Sequence, residues 1–244
     1  ELTIGNEHKR GDLSVYKVDS DNKKITLGGV KFALYSHEFQ KVTGHYTTDA
    51  NGEIHIKGLR TGNWSLIEEE TGKWYNLNEN PIEIKINWNE TTNTTVENEL
   101  KKSQIKIIKV DKENHEVKLK DVELEVLDKD GNVLEKLKTD KNGECYTKRY
   151  AVRDYPELYI RETKTNEKYV LDTEMKKIIL KENEIVNYTF ENQKIYGQIK
   201  VIKTSEEDNK INGDKKGTPI PNVSFGVYDE RENYNRSRWN CNYK

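Results

Sequence analysis

Three stretches of the chain share one pattern, in which apolar residues stand two and four positions before a lysine. The stretches are residues 13–17, 105–109 and 199–203, and their lysines are 92 and 94 residues apart. Residues two apart in a β-strand share a face, so each lysine points with the apolar residues toward a core. A chain that repeats in this way is expected to form tandem copies of one domain, each with a lysine on its core face.

Other polar residues recur with the same period. Asn6, Asn98 and Asn192 each stand 11 residues before the lysine of the next repeated stretch, which is Lys17, Lys109 or Lys203. Glu68 and Glu162 each stand 30 residues before an asparagine of this set. Both glutamates and the asparagines also alternate with apolar residues at steps of two, which places them on core faces. We predict four segments: residues 1–10 as the tail of a preceding repeat, 11–100 and 101–195 as complete repeats, and 196–244 as a truncated third repeat with a disordered C-terminal part.

Within a repeat the pattern is one of short strands separated by turns. The chain has 14 Tyr and 4 Trp but one Met, which favours strands over helices. Asn51-Gly52 and Asn142-Gly143 are typical of hairpin turns, since these residues readily take positive φ. In the first repeat we predict strands near residues 12–18, 30–36, 44–48, 53–57, 63–69, 82–87 and 93–99. Seven short strands of this kind predict an all-β sandwich.

Composition excludes several classes of function. The net charge is −2 although 34% of the residues are charged, which argues against nucleic acid as a partner. No run of about 18 apolar residues exists, so we expect no membrane span in this fragment. Two cysteines, Cys145 and Cys241, are too few for a disulfide framework or a zinc site. The acidic turns lack calcium-loop spacing, so we expect neither a metal nor a cofactor.

A lysine, a glutamate and an asparagine that share a core face are chemically reactive together. Burial favours an uncharged amine beside an uncharged carboxylic acid. Such an amine is a nucleophile toward the asparagine amide, and the acid can polarise the amide carbonyl and then protonate departing ammonia. The predicted product is a Lys–Asn isopeptide bond, made once per domain without turnover. The alternative is that these residues form ordinary ion pairs at strand ends.

Several motifs together resemble the collagen-adhesin B-type repeats of Gram-positive surface proteins, which are also called SpaA-type or prealbumin-like domains. They are Lys-Val-Asp at 17–19 and 109–111, the run at 27–35, the turn at 48–53, the segment at 159–171, and Glu-Asn at 97–98 and 191–192. The resemblance implies a reversed-immunoglobulin-like sandwich of about seven strands. It also implies a bond between a first-strand lysine and a last-strand asparagine, assisted by a glutamate.

Carried onto this sequence, the resemblance assigns one set of three residues to each complete repeat. The crosslinked pairs are Lys17 with Asn98 and Lys109 with Asn192, and the glutamates that shuttle the proton are Glu68 and Glu162. The family often has Ala-Pro-x-Gly-Tyr after its glutamate, whereas residues 71–75 and 165–169 depart from that run. Glu69 and Glu70 compete with Glu68 for its role. Asn6 and Lys203 are predicted to be unpaired counterparts.

The function expected from this resemblance is that of a structural stalk in an extracellular protein of the bacterial cell wall. Tandem repeats would be the partners of one another and would carry an adhesive domain away from the surface. The alternative is an adhesin module that contacts a host matrix protein or glycan through Trp74, Tyr75 and Trp88. We do not expect an enzyme, because a glycoside hydrolase needs paired carboxylates in a cleft.

Overall fold

The computed structural model describes residues 5–226, and it divides into two compact units after Ile195. The first unit holds two copies of one β-sandwich, and the second follows from Tyr196. The C-terminal part of residues 196–244 is predicted to be disordered, and residues 227–244 lie outside the described residues. Within residues 5–226 there is no helix with the length and apolar character needed to traverse a lipid bilayer.

The first sandwich contains seven strands, close to the positions that the sequence predicts. They are β1 (Arg10–Asp19), β2 (Lys31–Ser36), β3 (Lys41–Thr47), β4 (Glu53–Arg60), β5 (Gly62–Glu70), β6 (Ile82–Ile86) and β7 (Thr91–Asn98). One sheet has the order β4-β1-β7 and the other has the order β3-β2-β5-β6. The first and last strands, β1 and β7, are parallel neighbours.

The second sandwich repeats this plan with eight strands. They are β8 (Lys102–Asp111), β9 (Glu123–Leu127), β10 (Val133–Lys138), β11 (Glu144–Tyr146), β12 (Tyr150–Ala151), β13 (Glu157–Lys164), β14 (Lys176–Ile179) and β15 (Ile185–Asn192). The extra strand arises because β11 and β12 pair with β8 as two short pieces where the first sandwich has the single strand β4. Strand β15 pairs with β8 in parallel, as β7 does with β1.

Each sandwich encloses a core built from the alternating apolar residues of its two sheets. Leu13 and Val15 of β1 meet Phe32 and Leu66 of the opposite sheet in the first core. In the second core Ile105 and Ile107 occupy the positions of Leu13 and Val15. Period-two burial of this kind is what an aligned sandwich requires. The prediction of tandem all-β sandwiches is therefore confirmed.

The hairpin turns that the sequence predicts are in contact with the backbone of the core lysines. Gly52 has φ 77° and Gly143 has φ 70°, a region that favours glycine. A Cβ atom at Gly52 would lie 2.6 Å from the Lys17 carbonyl oxygen, and one at Gly143 would lie 2.7 Å from that of Lys109. The Lys17 N–H also donates to the Gly52 carbonyl at 2.8 Å. These glycines therefore allow the turn to hold the lysine backbone in place.

The third apolar stretch differs from the first two. Residues 199–203 form no strand among the described residues of the second unit, and Ile199 is 78% exposed. The one β-bridge found there joins Thr204 to Pro219. In the first two copies the equivalent strand lies between two neighbours that satisfy its backbone groups, and an apolar alternation without such neighbours does not form a sheet.

Candidate functional site

Two lysine side chains are fully buried in the sandwich cores. Lys17 on β1 and Lys109 on β8 are both 0% exposed. The ammonium nitrogen of Lys17 lies 5.8 Å from the centre of the Phe32 ring, and that of Lys109 lies 5.2 Å from the Phe190 ring. Full burial of an amine is costly in its charged form unless it has a partner. Each lysine has two such partners.

In the first sandwich, Lys17, Glu68 and Asn98 form one buried cluster. Lys17 Nζ donates to Asn98 Oδ1 and lies 2.9 Å from Glu68 Oε2. Asn98 Nδ2 in turn donates to Glu68 Oε1 at 2.5 Å. Strand β1 supplies the lysine, β5 the glutamate and β7 the asparagine. The register of β1 and β7 sets the approach, because Lys17 lies opposite Val96 and Asp19 opposite Asn98.

The second sandwich reproduces this cluster with Lys109, Glu162 and Asn192. Lys109 Nζ donates to Asn192 Oδ1 at 2.5 Å and lies 2.5 Å from Glu162 Oε2. Asn192 Nδ2 donates to Glu162 Oε1 at 2.8 Å. The structure thus brings together both sets of three residues that the sequence singles out.

The glutamate carboxylate lies between the amine and the amide nitrogen. Each carboxylate uses Oε1 to accept from the asparagine Nδ2 and turns Oε2 toward the lysine. Among the described residues, Glu68 Oε2 and Glu162 Oε2 are buried without a well-aligned hydrogen bond, although an amine is near each. The sequence-based expectation that the acid polarises the amide carbonyl is not met in this arrangement, because the two carboxylate oxygens face Nδ2 and Nζ instead.

Burial shifts the titration of both lysines in the same direction. Loss of hydration lowers the pKa of Lys17 below its ordinary value of 10.5, and the hydrogen bond and charge of Glu68 oppose that shift without reversing it. The pKa of Lys109 is lowered for the same reason, with Glu162 in the opposing role. A lowered pKa increases the fraction of uncharged amine, which is the nucleophilic form.

Sequence analysis missed a fourth member of each cluster, a threonine three residues after the glutamate. Asn98 Nδ2 donates to Thr71 Oγ1 at 2.7 Å, and Asn192 Nδ2 donates to Thr165 Oγ1 at 2.7 Å. Both threonines stand 27 residues before their asparagine. That constant spacing was the available signal. Alternation does not reveal these threonines, because both lie beyond the end of their strand, where a step of two no longer indicates a face.

A tyrosine and an aspartate form a second buried pair beside each cluster. Tyr75 donates its hydroxyl to Asp19 Oδ2 at 2.9 Å, and Tyr169 donates to Asp111 Oδ2 at 2.8 Å. Burial, followed by the bond to Asp19, raises the pKa of Tyr75. The pKa of Asp111 is held well below its usual range, chiefly by the ammonium of Lys194. Each aspartate stands two residues after the buried lysine, so this pair fixes the end of the first strand.

The glutamates that compete with Glu68, and the two residues predicted to be unpaired, are not buried. Glu69 pairs with His45 at 2.8 Å and Glu70 with Lys31 at 2.6 Å, both on the surface. Of the three consecutive glutamates, Glu68 is the one at the buried cluster. Asn6 and Lys203 are exposed, unlike the asparagines and lysines of the two clusters.

The aromatic residues proposed as a binding patch do not share an exposed surface. Tyr75 is buried, Trp74 packs against the first core, and Trp88 is 63% exposed. Cys145 also belongs to a core, where burial raises the pKa of its thiol to about 12. In the acidic turn at Asp128, the carboxylate accepts backbone N–H groups of Asp130 and Asn132, as in an Asx turn.

A family model for the SpaA prealbumin-like fold domain matches residues 11–100 and again residues 103–194. The chain belongs to this family. The first strand of each SpaA domain carries the buried lysine and its last strand carries the asparagine. Among curated protein sequences, none matches the chain.

Solved structures similar to this chain include proteins of Gram-positive bacteria. The Bacillus anthracis TIE protein is 25% identical over 77% of this chain, with a TM-score of 0.61, and the match spans 34% of that protein. A streptococcal ancillary pilin is 20% identical, and the match covers 78% of this chain and 64% of the pilin, with a TM-score of 0.35. A mutant of the shaft pilin SpaA of Lactobacillus rhamnosus GG is 14% identical, and the match covers 80% of this chain and 100% of the pilin, with a TM-score of 0.36.

Proposed function

We propose that residues 11–100 and 101–195 are two covalently locked spacer domains of a Gram-positive cell-surface protein. Each domain would contain an autocatalytic isopeptide bond, from Lys17 to Asn98 and from Lys109 to Asn192. The observation that carries the proposal is the recurrence of one buried arrangement of amine, carboxylate and amide in both sandwiches. Ordinary ion pairs between surface residues do not require two sandwiches to bury the same three groups.

The reaction joins the lysine nitrogen to the asparagine side-chain carbon. In the arrangement before the reaction Nζ contacts Oδ1. The uncharged amine then turns its lone pair to Cγ and attacks it, and the carbonyl oxygen takes up the negative charge. The carboxyl group receives a proton from the attacking nitrogen and delivers one to Nδ2, which leaves as ammonia. One C–N bond forms and one breaks, so the products are an isopeptide bond and NH3.

The buried site supplies what this reaction needs. Amides are poor electrophiles, but groups fixed at contact distance reach effective molarities of roughly 10⁵–10⁸ M. The side chains of Lys17 and Glu68 are both fully shielded from solvent, and so are those of Lys109 and Glu162. An external substrate therefore has no access to these groups. The chemistry proposed is a single turnover within the chain, and the domains are structural rather than enzymatic.

The position of each bond suits a protein under tension. Strands β1 and β7 are the first and last of their sandwich, as β8 and β15 are of the second. A bond between them closes about 80 residues into one loop, so a force applied at the chain ends bypasses the rest of the sandwich. This path would run through both domains in series, as a stalk requires.

The two sandwiches also contact each other through polar side chains. Lys102 Nζ lies 2.7 Å from Asp21 Oδ2, and Asp21 raises the pKa of Lys102 above its ordinary value. Asn183 Nδ2 donates to Asn76 Oδ1 at 2.7 Å. These contacts join loops of the first domain to the second. They support the proposal that neighbouring repeats of the chain are each other's partners.

Peptide mapping tests this proposal directly. The purified chain is denatured and digested, and branched peptides are sought by tandem mass spectrometry. Two branched species are expected, one that joins the peptides of Lys17 and Asn98 and one that joins those of Lys109 and Asn192. Recovery of all four peptides only in linear form would refute the proposal.

A further inference from the structure

We propose that Thr71 and Thr165 are catalytic residues for isopeptide formation, each acting on the nitrogen that leaves. This inference rests on the proposed function. Its observation is separate: each threonine hydroxyl accepts a hydrogen bond at 2.7 Å from the amide nitrogen that must depart. The same contact occurs in both sandwiches, although the intervening residues differ between Glu69-Glu70 and Thr163-Lys164.

The threonine completes the set of contacts that orient the amide. In the first sandwich, Asn98 Oδ1 accepts from Lys17, and the two N–H groups of Nδ2 donate to Glu68 and Thr71. The oxygen and both N–H groups of the amide are therefore each engaged in a hydrogen bond. An amide held on three sides cannot rotate about its terminal bond without breaking hydrogen bonds, so its carbon stays within reach of the amine.

The hydroxyl also has a role after the amine attacks. Once the tetrahedral intermediate forms, Nδ2 is no longer conjugated with the carbonyl and gains a lone pair that accepts a proton. Thr71 continues to accept one N–H, which leaves the lone pair free to face the carboxyl group of Glu68. Nδ2 takes its third hydrogen from that carboxyl group and departs as NH3, while the threonine keeps its own proton. The same sequence applies to Thr165, Glu162 and Asn192.

The second sandwich offers the best matched control for this role. Thr163 lies two residues before Thr165, is exposed, and donates to the Glu123 carbonyl oxygen rather than contacting the amide. Thr165→Val removes the hydroxyl and keeps the branched shape, whereas Thr163→Val makes the same change away from the site. Thr165→Ser restores the hydroxyl. The unaltered first sandwich serves as an internal reference in every variant.

The experiment follows bond formation in the full chain during cell-free synthesis. Samples are quenched at intervals into acid and denaturant, digested, and assayed for the branched peptide of each sandwich. Thr165→Val is expected to slow the second bond about tenfold, the effect of losing roughly one hydrogen bond in the transition state. The first bond should form at its normal rate. Thr163→Val and Thr165→Ser should form both bonds within about twofold of the unaltered rate.

Three results would overturn the inference. The first is a Thr165→Val rate within about twofold of the unaltered chain. The second is a Thr165→Ser variant as slow as Thr165→Val. The third is a Thr163→Val rate as slow as that of Thr165→Val, since the Thr163 hydroxyl does not contact the amide. If the unaltered chain forms no branched peptide, the proposed function itself fails, which is a distinguishable outcome.

Discussion

Lys109 Nζ lies 2.5 Å from Asn192 Oδ1, although 83 residues separate them in the chain. The parallel pairing of β8 with β15 creates this proximity, because it sets Lys109 opposite Phe190 and Asp111 opposite Asn192. An antiparallel last strand would carry its C-terminal asparagine to the other end of the sheet. The topology of the sandwich therefore decides that the amine and the amide meet.

Glu68→Gln should abolish the first bond and leave the second intact. A glutamine side chain keeps the shape of the glutamate but cannot carry a proton from the amine to the departing nitrogen. After correction for the substitution, the intact mass of the denatured variant should therefore be about 17 Da, one ammonia, higher than that of the unaltered chain. The matched control is Glu69→Gln, which alters a surface residue paired with His45 and should keep both bonds. Equal masses for Glu68→Gln and the unaltered chain, after correction for the substitution, would contradict the assigned role.

Loss of the first bond should lower the stability of the first sandwich only. The bond from Lys17 to Asn98 spans 81 residues, and closing a loop of this order stabilises a fold by about 4–5 kcal/mol through the unfolded state. Calorimetry of Glu68→Gln should show one transition shifted to lower temperature and the other unchanged. Glu162→Gln should shift the other transition. A common shift of both transitions in either variant would argue against separate crosslinks.

Mechanical unfolding should reveal the same bond as a limit on extension. The 81-residue span between Lys17 and Asn98 corresponds to roughly 270–290 Å of extended chain. A crosslinked domain cannot release this length, whereas the domain of Glu68→Gln should release nearly all of it in one event. Single-molecule force spectroscopy of the full chain measures the difference. Release of that length by the unaltered chain would show that its first domain is not crosslinked.

The buried lysine should make the unlinked domain more stable as pH rises. In Asn98→Ala no bond can form, and burial lowers the pKa of Lys17 below 10.5. Between the lowered pKa and 10.5 the unfolded chain binds more protons than the folded one, so the free energy of unfolding increases with pH. This gain is absent below the lowered pKa, where both states are protonated.

Denaturant titrations across that pH window measure the effect. Other lysines also titrate there, so the reference is the double variant Lys17→Met/Asn98→Ala, which lacks only the buried amine. The free energy of unfolding should rise more steeply with pH in Asn98→Ala than in this reference. Parallel curves, or a shallower one, would contradict the assigned direction of the pKa shift.

The sequence predicts the features that produce a repeat period or an alternation of apolar residues. The strand pattern and the core face of Lys17, Glu68 and Asn98 follow from residues spaced two apart, and their register follows from the period of the repeats. Alternation with Trp64 and Leu66 also favours Glu68 over Glu69 and Glu70. All of these signals depend on a regular strand.

The remaining features depend on loops or on neighbours, where such signals are absent. Thr71 follows the end of β5, and its side chain reaches Asn98 through the path of the loop. Tyr75 lies further along the same loop, and its hydroxyl donates a hydrogen bond to Asp19. The stretch at 199–203 shows the converse, because its alternation matches β1 while the described residues give it no flanking strands. Alternation indicates which side chains would share a face of a strand. The strand itself forms only where neighbouring strands pair with it.

The intact mass of the denatured full chain tests the central proposal most directly. Two isopeptide bonds release two molecules of ammonia, so the measured mass should be about 34 Da below the mass calculated from the sequence. Lys203 is exposed and lies in no cluster of the kind that surrounds Lys17 among the described residues, so a third loss is not expected. A measured mass equal to the calculated one would contradict the proposal that these domains are covalently locked.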